Sequence, residues 1–194
     1  MLGTDLIPAL AGREVTALGR AELDVTDAAA VDAAVAGHDV VINAAAYTRV
    51  DDAESHEAEA LAINATGAGL LAEAAHRHGA RIVQVSTDYV FDGTATSPYA
   101  EDAPRHPVSA YGRTKAEGER LVLAAHPAGA FVVRTAWLYG AGGPNFARTM
   151  RRLAADRPEI AVVTDQVGQP TWTGDLARRI VALLDADAPA GVYH

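Results

Sequence analysis

The sequence has 194 residues with 25 acidic and 16 basic side chains, a formal net charge of −9, and no cysteine. The missing cysteine excludes a disulfide framework, a thiolate metal site and a cysteine nucleophile, and it fits a reducing compartment. An acidic chain without a basic run is a poor nucleic-acid binder, and no apolar run reaches the roughly 18 residues of a membrane span. The residues after Met1 also lack a signal-peptide pattern. We therefore expect a cytoplasmic globular protein with no nucleic-acid, membrane or metal partner.

The predicted elements alternate short β-branched runs with longer helical stretches. Strands are predicted at 14–18, 38–42, 81–85, 131–135, 160–163 and 192–194, and helices at 27–35, 53–78, 109–125, 146–155 and 174–184. Gly79 is predicted to end the second helix. Strands separated by helices of this length indicate βαβ units, so the sequence predicts an α/β fold with a doubly wound parallel sheet. Ligands bind such sheets at the carboxyl ends of the strands.

The sharpest local feature is Tyr111-Gly-Arg-Thr-Lys115, which places a phenol and an ammonium one helical turn apart on the same face. A nearby cation lowers the pKa of a phenol towards the range in which general acid catalysis is efficient. The motif alone also arises by chance on exposed helix faces. Lys115 is the only lysine among the 16 basic residues. The guanidinium group of arginine is wider and planar, so it does not replace a compact ammonium. This composition favours a chemical role for the pair.

Two further strand ends carry polar or small residues. Ser86 and Thr87 leave the strand at 81–85, and a fixed hydroxyl there can position a carbonyl oxygen for proton transfer. The alternative is that they only open a turn. Asn43 to Tyr47 follow the strand at 38–42 with small residues, which let a flat ligand approach the backbone or simply allow tight packing.

Together these segments resemble the extended branch of the short-chain dehydrogenase/reductase superfamily, and within it the dTDP-4-dehydrorhamnose reductase family. The matching strings cover 43–54, 86–93, 111–115, 134–139, 145–146 and 165–171. The resemblance implies a Rossmann-like fold. It also implies reduction of the C4 ketone of dTDP-4-dehydro-6-deoxy-L-mannose to dTDP-L-rhamnose, with NADPH, or else NADH, as the hydride source. Such a reaction belongs to nucleotide-sugar and cell-surface polysaccharide biosynthesis.

The resemblance also assigns roles to individual residues. Tyr111 would be the proton donor, Lys115 would hold the nicotinamide ribose and lower the pKa of Tyr111, and Thr87 would bind the carbonyl oxygen. The other residues implied to contact the sugar are Asp88, Tyr89 and Trp137. Those implied to contact the cofactor, besides Tyr111 and Lys115, are Gly3, Arg20, Asp24, Val25, Asn43, Ala45, Ala46, Tyr47 and Ser86. Arg20 follows the predicted strand at 14–18 and favours NADPH, because an arginine there accepts a 2′-phosphate; a solvated loop residue is the alternative.

The resemblance divides the chain into a dinucleotide-binding domain at 1–139 and part of a substrate-binding lobe, mixed with the last Rossmann elements, at 140–194. The family opens with a strand and a G-x-x-G-x-x-G turn that binds the pyrophosphate. Gly3 resembles the last glycine of that turn, so we expect the first strand and the earlier glycines to be missing. A fragment truncated at both ends is therefore expected, with weaker NADPH binding than a longer chain.

Two other functions stay open at this stage. One is a non-catalytic nucleotide-binding module like the regulatory subunit of methionine adenosyltransferase, although intact Thr87, Tyr111 and Lys115 argue for chemistry. The other is a nucleotide-sugar epimerase or dehydratase. Dehydratases often carry Asp-Glu after the catalytic threonine, whereas this sequence has Asp88-Tyr89, which favours a reductase. A homodimer is also compatible with the resemblance.

Overall fold

The structure is a computed structural model that describes residues 1–194. Its α-helices are α1 (Leu2–Ala9), α2 (Ala28–Val35), α3 (Val50–Ala53), α4 (Glu57–Leu61), α5 (Ala68–His78), α6 (Ala110–Ala125), α7 (Phe146–Asp156) and α8 (Thr173–Asp185). A π-helical segment covers Ala62–Gly67, and a 3-10 turn covers Asp88–Val90. The strands are β1 (Val40–Asn43), β2 (Arg81–Thr87), β3 (Ala130–Thr135), β4 (Leu138–Tyr139), β5 (Thr171–Trp172) and β6 (Gly191–Tyr193).

The chain forms two compact units. The sheet unit comprises Leu18–Arg134 and Pro189–His194, and the second unit comprises Met1–Ala17 and Thr135–Ala188. The division of the sequence between 139 and 140 stays a prediction about domains. None of the helices combines the length and the hydropathy that a membrane-spanning helix needs.

The sheet unit is built on a four-stranded sheet in the order β1-β2-β3-β6. Strand β1 pairs with β2 in parallel, with Val40 opposite Arg81, and β3 pairs with β6 in parallel. Helices α2, α5 and α6 pack together, and α5 and α6 cover β2. Their buried core includes Val31, Leu71, Ile82, Val122 and Val132. The α/β class and the parallel sheet predicted from the sequence are confirmed.

Local sequence signals explain where these helices begin and end. The Asp27 carboxylate accepts from the amides of Ala29 and Ala30 and so caps α2. Gly79 ends α5 in the left-handed conformation, with a φ of 72°, which costs glycine little. Both ends agree with the sequence prediction.

The second unit contains α1, α7, α8 and a two-stranded sheet in which Leu138 of β4 lies opposite Thr171 of β5. Helices α1 and α8 pack against each other. Helix α7 begins at Asn145, whose side chain accepts from the amide of Arg148 at 3.0 Å. The predicted helices at 146–155 and 174–184 are confirmed to within two residues.

Three predicted elements are wrong. The strands predicted at 14–18 and 160–163 are irregular, and Val15, Leu18 and Val163 are exposed. Because β propensity reflects packing against neighbouring strands, a β-branched run with no strand beside it does not form one. The helix predicted over 53–78 is broken at 54–56 and widens into the π-helical segment before α5 begins.

Candidate active site

Helix α6 carries the Tyr111–Lys115 pair, and its first turn is fixed by Ser109. The Ser109 hydroxyl accepts from the amide of Gly112 at 3.1 Å, as an N-cap does. Tyr111 and Lys115 therefore lie in the first two turns of a regular helix that packs on β2 and on the 3-10 turn after it. The helix predicted at 109–125 is confirmed.

Two glycines allow α6 to approach its neighbours closely. A Cβ atom on Gly112 would lie 2.2 Å from the carbonyl oxygen of Tyr89, and one on Gly118 would lie 2.1 Å from that of Asn64. Both distances are far below van der Waals contact, so only glycine permits this packing. The sequence alone does not mark these two glycines, because the contacts that require them join distant parts of the chain.

Lys115 is a buried cation at the carboxyl end of β2. The residue is only 4% exposed, and its Nζ donates to the carbonyl oxygen of Val85 at 2.7 Å. Burial lowers the pKa of Lys115 to about 8, against the opposing effect of the charge on Glu119. The only lysine of the chain thus lies among buried groups rather than on the surface.

Tyr111 lies beside Thr87, close enough for the threonine hydroxyl to act on the phenol. Burial, followed by the charge on Asp88, raises the pKa of Tyr111 to about 12. The sequence-based expectation that Lys115 lowers this pKa is therefore wrong for this structure. The physical reason is that the Lys115 ammonium donates to Val85, while the charged group that acts on the phenol is a carboxylate.

Thr87, Asp88 and Tyr89 form the turn that leaves β2. The Thr87 hydroxyl donates to the Asp88 carboxylate at 3.0 Å and accepts from the amide of Tyr89 at 3.2 Å. Burial raises the pKa of Asp88. The Tyr89 ring meets the Tyr111 ring edge-on, with centroids 5.6 Å apart. The structure thus brings together all three predicted catalytic residues and two of the predicted sugar contacts.

The segment after β1 is held by two buried asparagines. Asn43 donates to the Gln84 side chain at 2.7 Å and accepts from the amide of Ala45 at 3.1 Å. Asn64 accepts from the amide of Tyr47 at 2.8 Å and donates to the Thr114 hydroxyl at 3.0 Å. The sequence alone does not identify Asn64 as a site residue. No motif around it indicates that its side chain joins the loop after β1 to α6.

The remaining predicted residues lie outside this cluster. Ser86 is buried and donates to Glu119 at 2.5 Å. Arg20 is exposed in the chain before α2, where the Asp24 carboxylate accepts from both the amide and the hydroxyl of Thr26. Val25 packs closely on the end of the π-helical segment, where a Cβ on Gly67 would lie 2.8 Å from Cγ2 of Val25.

Gly3 and Trp137 belong to the second unit. Gly3 lies in α1 with open space around it. Trp137 adopts a φ of 47°, which is unusual for a bulky residue, and its ring lies tilted against that of Phe146, with centroids 6.3 Å apart. A strained aromatic residue is frequent at ligand sites.

The groups at the carboxyl ends of β1 and β2 fit a nicotinamide dinucleotide. Lys115 and Tyr111 supply donors suited to ribose hydroxyls, and the alanines after β1 leave exposed backbone that a flat ligand can approach. Arg20 offers an exposed guanidinium suited to a phosphate. When bound, such a cofactor would supply the hydride that no side chain can supply.

Comparison with known proteins gives consistent matches over the whole chain. A family model described as RmlD substrate binding domain matches residues 1–194. The dTDP-4-dehydrorhamnose reductase of Streptomyces griseus is 55% identical over 202 residues, and the dTDP-4-keto-6-deoxy-D-glucose reductase of Streptomyces niveus is 50% identical over 198. Both alignments cover 100% of this chain, with 66% and 68% of the relative.

A solved structure has the same fold. The crystal structure of dTDP-4-dehydrorhamnose reductase from Bacillus anthracis in complex with NADP superimposes with a TM-score of 0.96 at 40% identity, covering 100% of this chain and 69% of that one. The chain therefore spans about two thirds of the length of the relatives that it matches.

Proposed function

Because this chain belongs to the RmlD substrate binding domain family, we propose that it carries the catalytic residues of an NADPH-dependent reductase of dTDP-4-keto-6-deoxy sugars. The proposed substrate is dTDP-4-dehydrorhamnose, and the proposed product is dTDP-L-rhamnose. The observation that carries the proposal is that Tyr111 lies beside Thr87 at the carboxyl end of β2, with the Lys115 ammonium buried one turn along α6.

Tyr111 is proposed as the general acid. Its pKa of about 12 keeps the phenol protonated at neutral pH, so the proton is available when the ketone becomes an alcohol. The proton moves from the Tyr111 hydroxyl to the C4 oxygen and leaves a phenolate. The Asp88 carboxylate opposes that phenolate. We therefore expect protonation of Asp88, or movement of the Lys115 ammonium from Val85 towards the phenolate, to accompany the transfer.

Thr87 is proposed to hold the ketone oxygen. Its hydroxyl lies beside Tyr111 and donates to Asp88 in this structure. Rotation of the hydroxyl lets it donate to the ketone instead, so that oxygen would lie between two donors. Asp88 and Tyr89 on the same turn are proposed to contact the sugar, as is Trp137 of the second unit.

The residues proposed to hold NADPH extend from the pair on α6 to the loops before α2 and after β1. Lys115 and Tyr111 are proposed for the nicotinamide ribose, and Arg20 for the 2′-phosphate. The other residues of the proposed cofactor site are Gly3, Asp24, Val25, Asn43, Ala45, Ala46, Tyr47 and Ser86. Asn43 and Ser86 are committed to protein contacts, so their proposed contribution is to shape the site.

The test replaces the aligned region of the Streptomyces griseus relative with this chain and follows NADPH oxidation. Both dTDP-4-dehydrorhamnose and dTDP-4-keto-6-deoxy-D-glucose are supplied, because the names of the relatives differ in the sugar. We expect Tyr111→Phe to lose about a hundredfold or more in kcat. The matched control is Tyr99→Phe, whose hydroxyl binds Asp92 at 2.7 Å in another loop.

Full turnover by Tyr111→Phe would refute the role of Tyr111. NADPH binding without turnover on either sugar would indicate a nucleotide-binding module instead. We also propose a cytoplasmic location, where NADPH is available, and a homodimer, which sedimentation analysis of the purified protein tests.

A further inference from the structure

One face of α6 pairs with three consecutive residues at the end of β2. Tyr111 lies beside Thr87, and Lys115 donates to Val85 one turn later. One turn further on, Glu119 accepts from the Ser86 hydroxyl at 2.5 Å. The proposed reaction uses the first two of these helix residues, whereas Glu119 has no assigned role.

Glu119 is a buried carboxylate with both oxygens occupied. Its side chain is only 1% exposed. The Arg134 guanidinium donates to it through two nitrogens, from Nε to Oε1 at 2.9 Å and from Nη2 to Oε2 at 2.8 Å. A two-point pair of this kind fixes the orientation of both side chains.

Arg134 is itself held from several sides. Its Nη1 donates to the carbonyl oxygen of Glu101 at 3.1 Å and lies 3.2 Å from Nε2 of His194. The guanidinium also lies over the Phe91 ring, 4.9 Å from its centroid. Since Arg134 is on β3 and Ser86 is on β2, the Glu119 carboxylate ties α6 to two adjacent strands.

We propose that Glu119 is a positioning residue, whose carboxylate, clamped by Arg134 and Ser86, fixes α6 on the end of β2 and supplies the negative charge that stabilises the Lys115 ammonium. Its importance for catalysis rests on the proposed function. A buried ion pair costs more in desolvation than a hydrophobic pair of the same size. Here the charge of Glu119 acts on the buried Lys115 ammonium, which accounts for a buried ion pair at this position.

The charges around Lys115 support this assignment. Burial lowers the pKa of Lys115, and the charge that acts in the other direction is that of Glu119. The other charged groups packed near this part of α6 are Asp88 after β2, Arg134 on β3 and Arg105, whose Nη1 lies 3.4 Å from the Glu119 carboxylate. Two of these three are cations, and of the two carboxylates, Asp88 and Glu119, only Glu119 acts on the pKa of Lys115.

The experiment uses the fact that Lys115 is the only lysine. The protein is produced with lysine labelled with carbon-13 at Cε, so that NMR shows one lysine signal whose pH titration needs no assignment. We expect the Glu119→Gln variant to titrate about one pH unit or more below the unmodified protein. Glutamine keeps the shape of the side chain and can accept from Ser86, and circular dichroism checks that the variant folds.

Two further variants make the result decisive. Glu117→Gln is the matched control, because Glu117 is a partly exposed carboxylate on α6 that pairs with Arg120, and its titration should stay within a few tenths of a unit of the unmodified protein. Arg134→Met should move the midpoint upward, because a cation that competes for the Glu119 carboxylate is removed. This opposite shift tests the same coupling if Glu119→Gln does not fold.

Equal midpoints for Glu119→Gln and Glu117→Gln would overturn the inference, as would a downward shift in Arg134→Met. The titration needs neither NADPH nor a sugar, so the inference can fail while the proposed reductase activity stands, and the reverse. In the proposed reaction, we expect the alkaline limb of the pH profile of kcat/KM to move down with the Lys115 midpoint in Glu119→Gln.

Discussion

Replacement of Lys115 by methionine should change how stability depends on pH. The folded protein binds this proton with a pKa of about 8, whereas the ordinary value is 10.5. The folded state therefore holds the proton less tightly than the unfolded chain. Below pH 8 the buried ammonium reduces stability by its full amount, and stability rises as the pH increases from 8 towards 10.5.

The size of the effect follows from the two pKa values. Their difference corresponds to about 3 kcal/mol of reduced stability at low pH. Between about pH 7 and about pH 9.5, proton linkage predicts that the free energy of unfolding rises by about 2 kcal/mol in the unmodified protein. The raised pKa of Tyr111 lowers stability by only about 0.2 kcal/mol at the upper end of this range, because both its folded value of about 12 and its ordinary value of 10.0 lie above it.

The assay is urea denaturation followed by circular dichroism at several pH values in that range. Lys115→Met should lack the rise of about 2 kcal/mol, whatever its absolute stability. The control is Arg113→Met, which removes an exposed cation from the same helix and should keep the rise. Parallel pH curves for Lys115→Met and the unmodified protein would refute the argument that Lys115 is a buried, weakened base.

Further predictions concern stability and use the same denaturation assay. Gly118→Ala should cost at least about 2 kcal/mol, because its Cβ would lie 2.1 Å from the Asn64 carbonyl oxygen; Gly3→Ala in α1, with open space around it, should cost nothing and gain up to about 1 kcal/mol. Equal effects would contradict the packing argument. Asp27→Ala should cost about 1 kcal/mol through loss of the α2 cap, and an unchanged midpoint would show that the cap contributes nothing. Arg113→Ala should change stability by less than about 1 kcal/mol, since its ion pair is exposed; a larger loss would show that the pair is structural.

The elements that the sequence predicts well are those with signals inside the element itself. Helix α6 has a capping serine and a regular pattern, and α5 ends at a glycine that adopts the left-handed conformation. Tyr111 and Lys115 are four residues apart, so helical geometry alone places them on one face. The α/β class follows from the alternation of such elements.

The parts that the sequence does not predict depend on contacts between distant segments. The residues at 160–163 have high β propensity but no strand beside them, and they remain irregular. Gly118 needs to be glycine only because Asn64 lies against it. Likewise, Glu119 is one acidic residue among 25 in the sequence, and only the fold shows that it is buried against Arg134.

The pKa of Tyr111 shows how the fold can reverse a prediction from sequence spacing. Two side chains four residues apart on a helix share a face, but that spacing does not decide where the ammonium points. Here the Lys115 ammonium donates to the Val85 carbonyl, and the charge that acts on Tyr111 is the carboxylate of Asp88. A phenol that keeps its proton suits a general acid, which has to be protonated before the reaction. The same spacing therefore supports a different division of labour, in which burial keeps the proton on Tyr111 and Glu119 keeps the charge on Lys115.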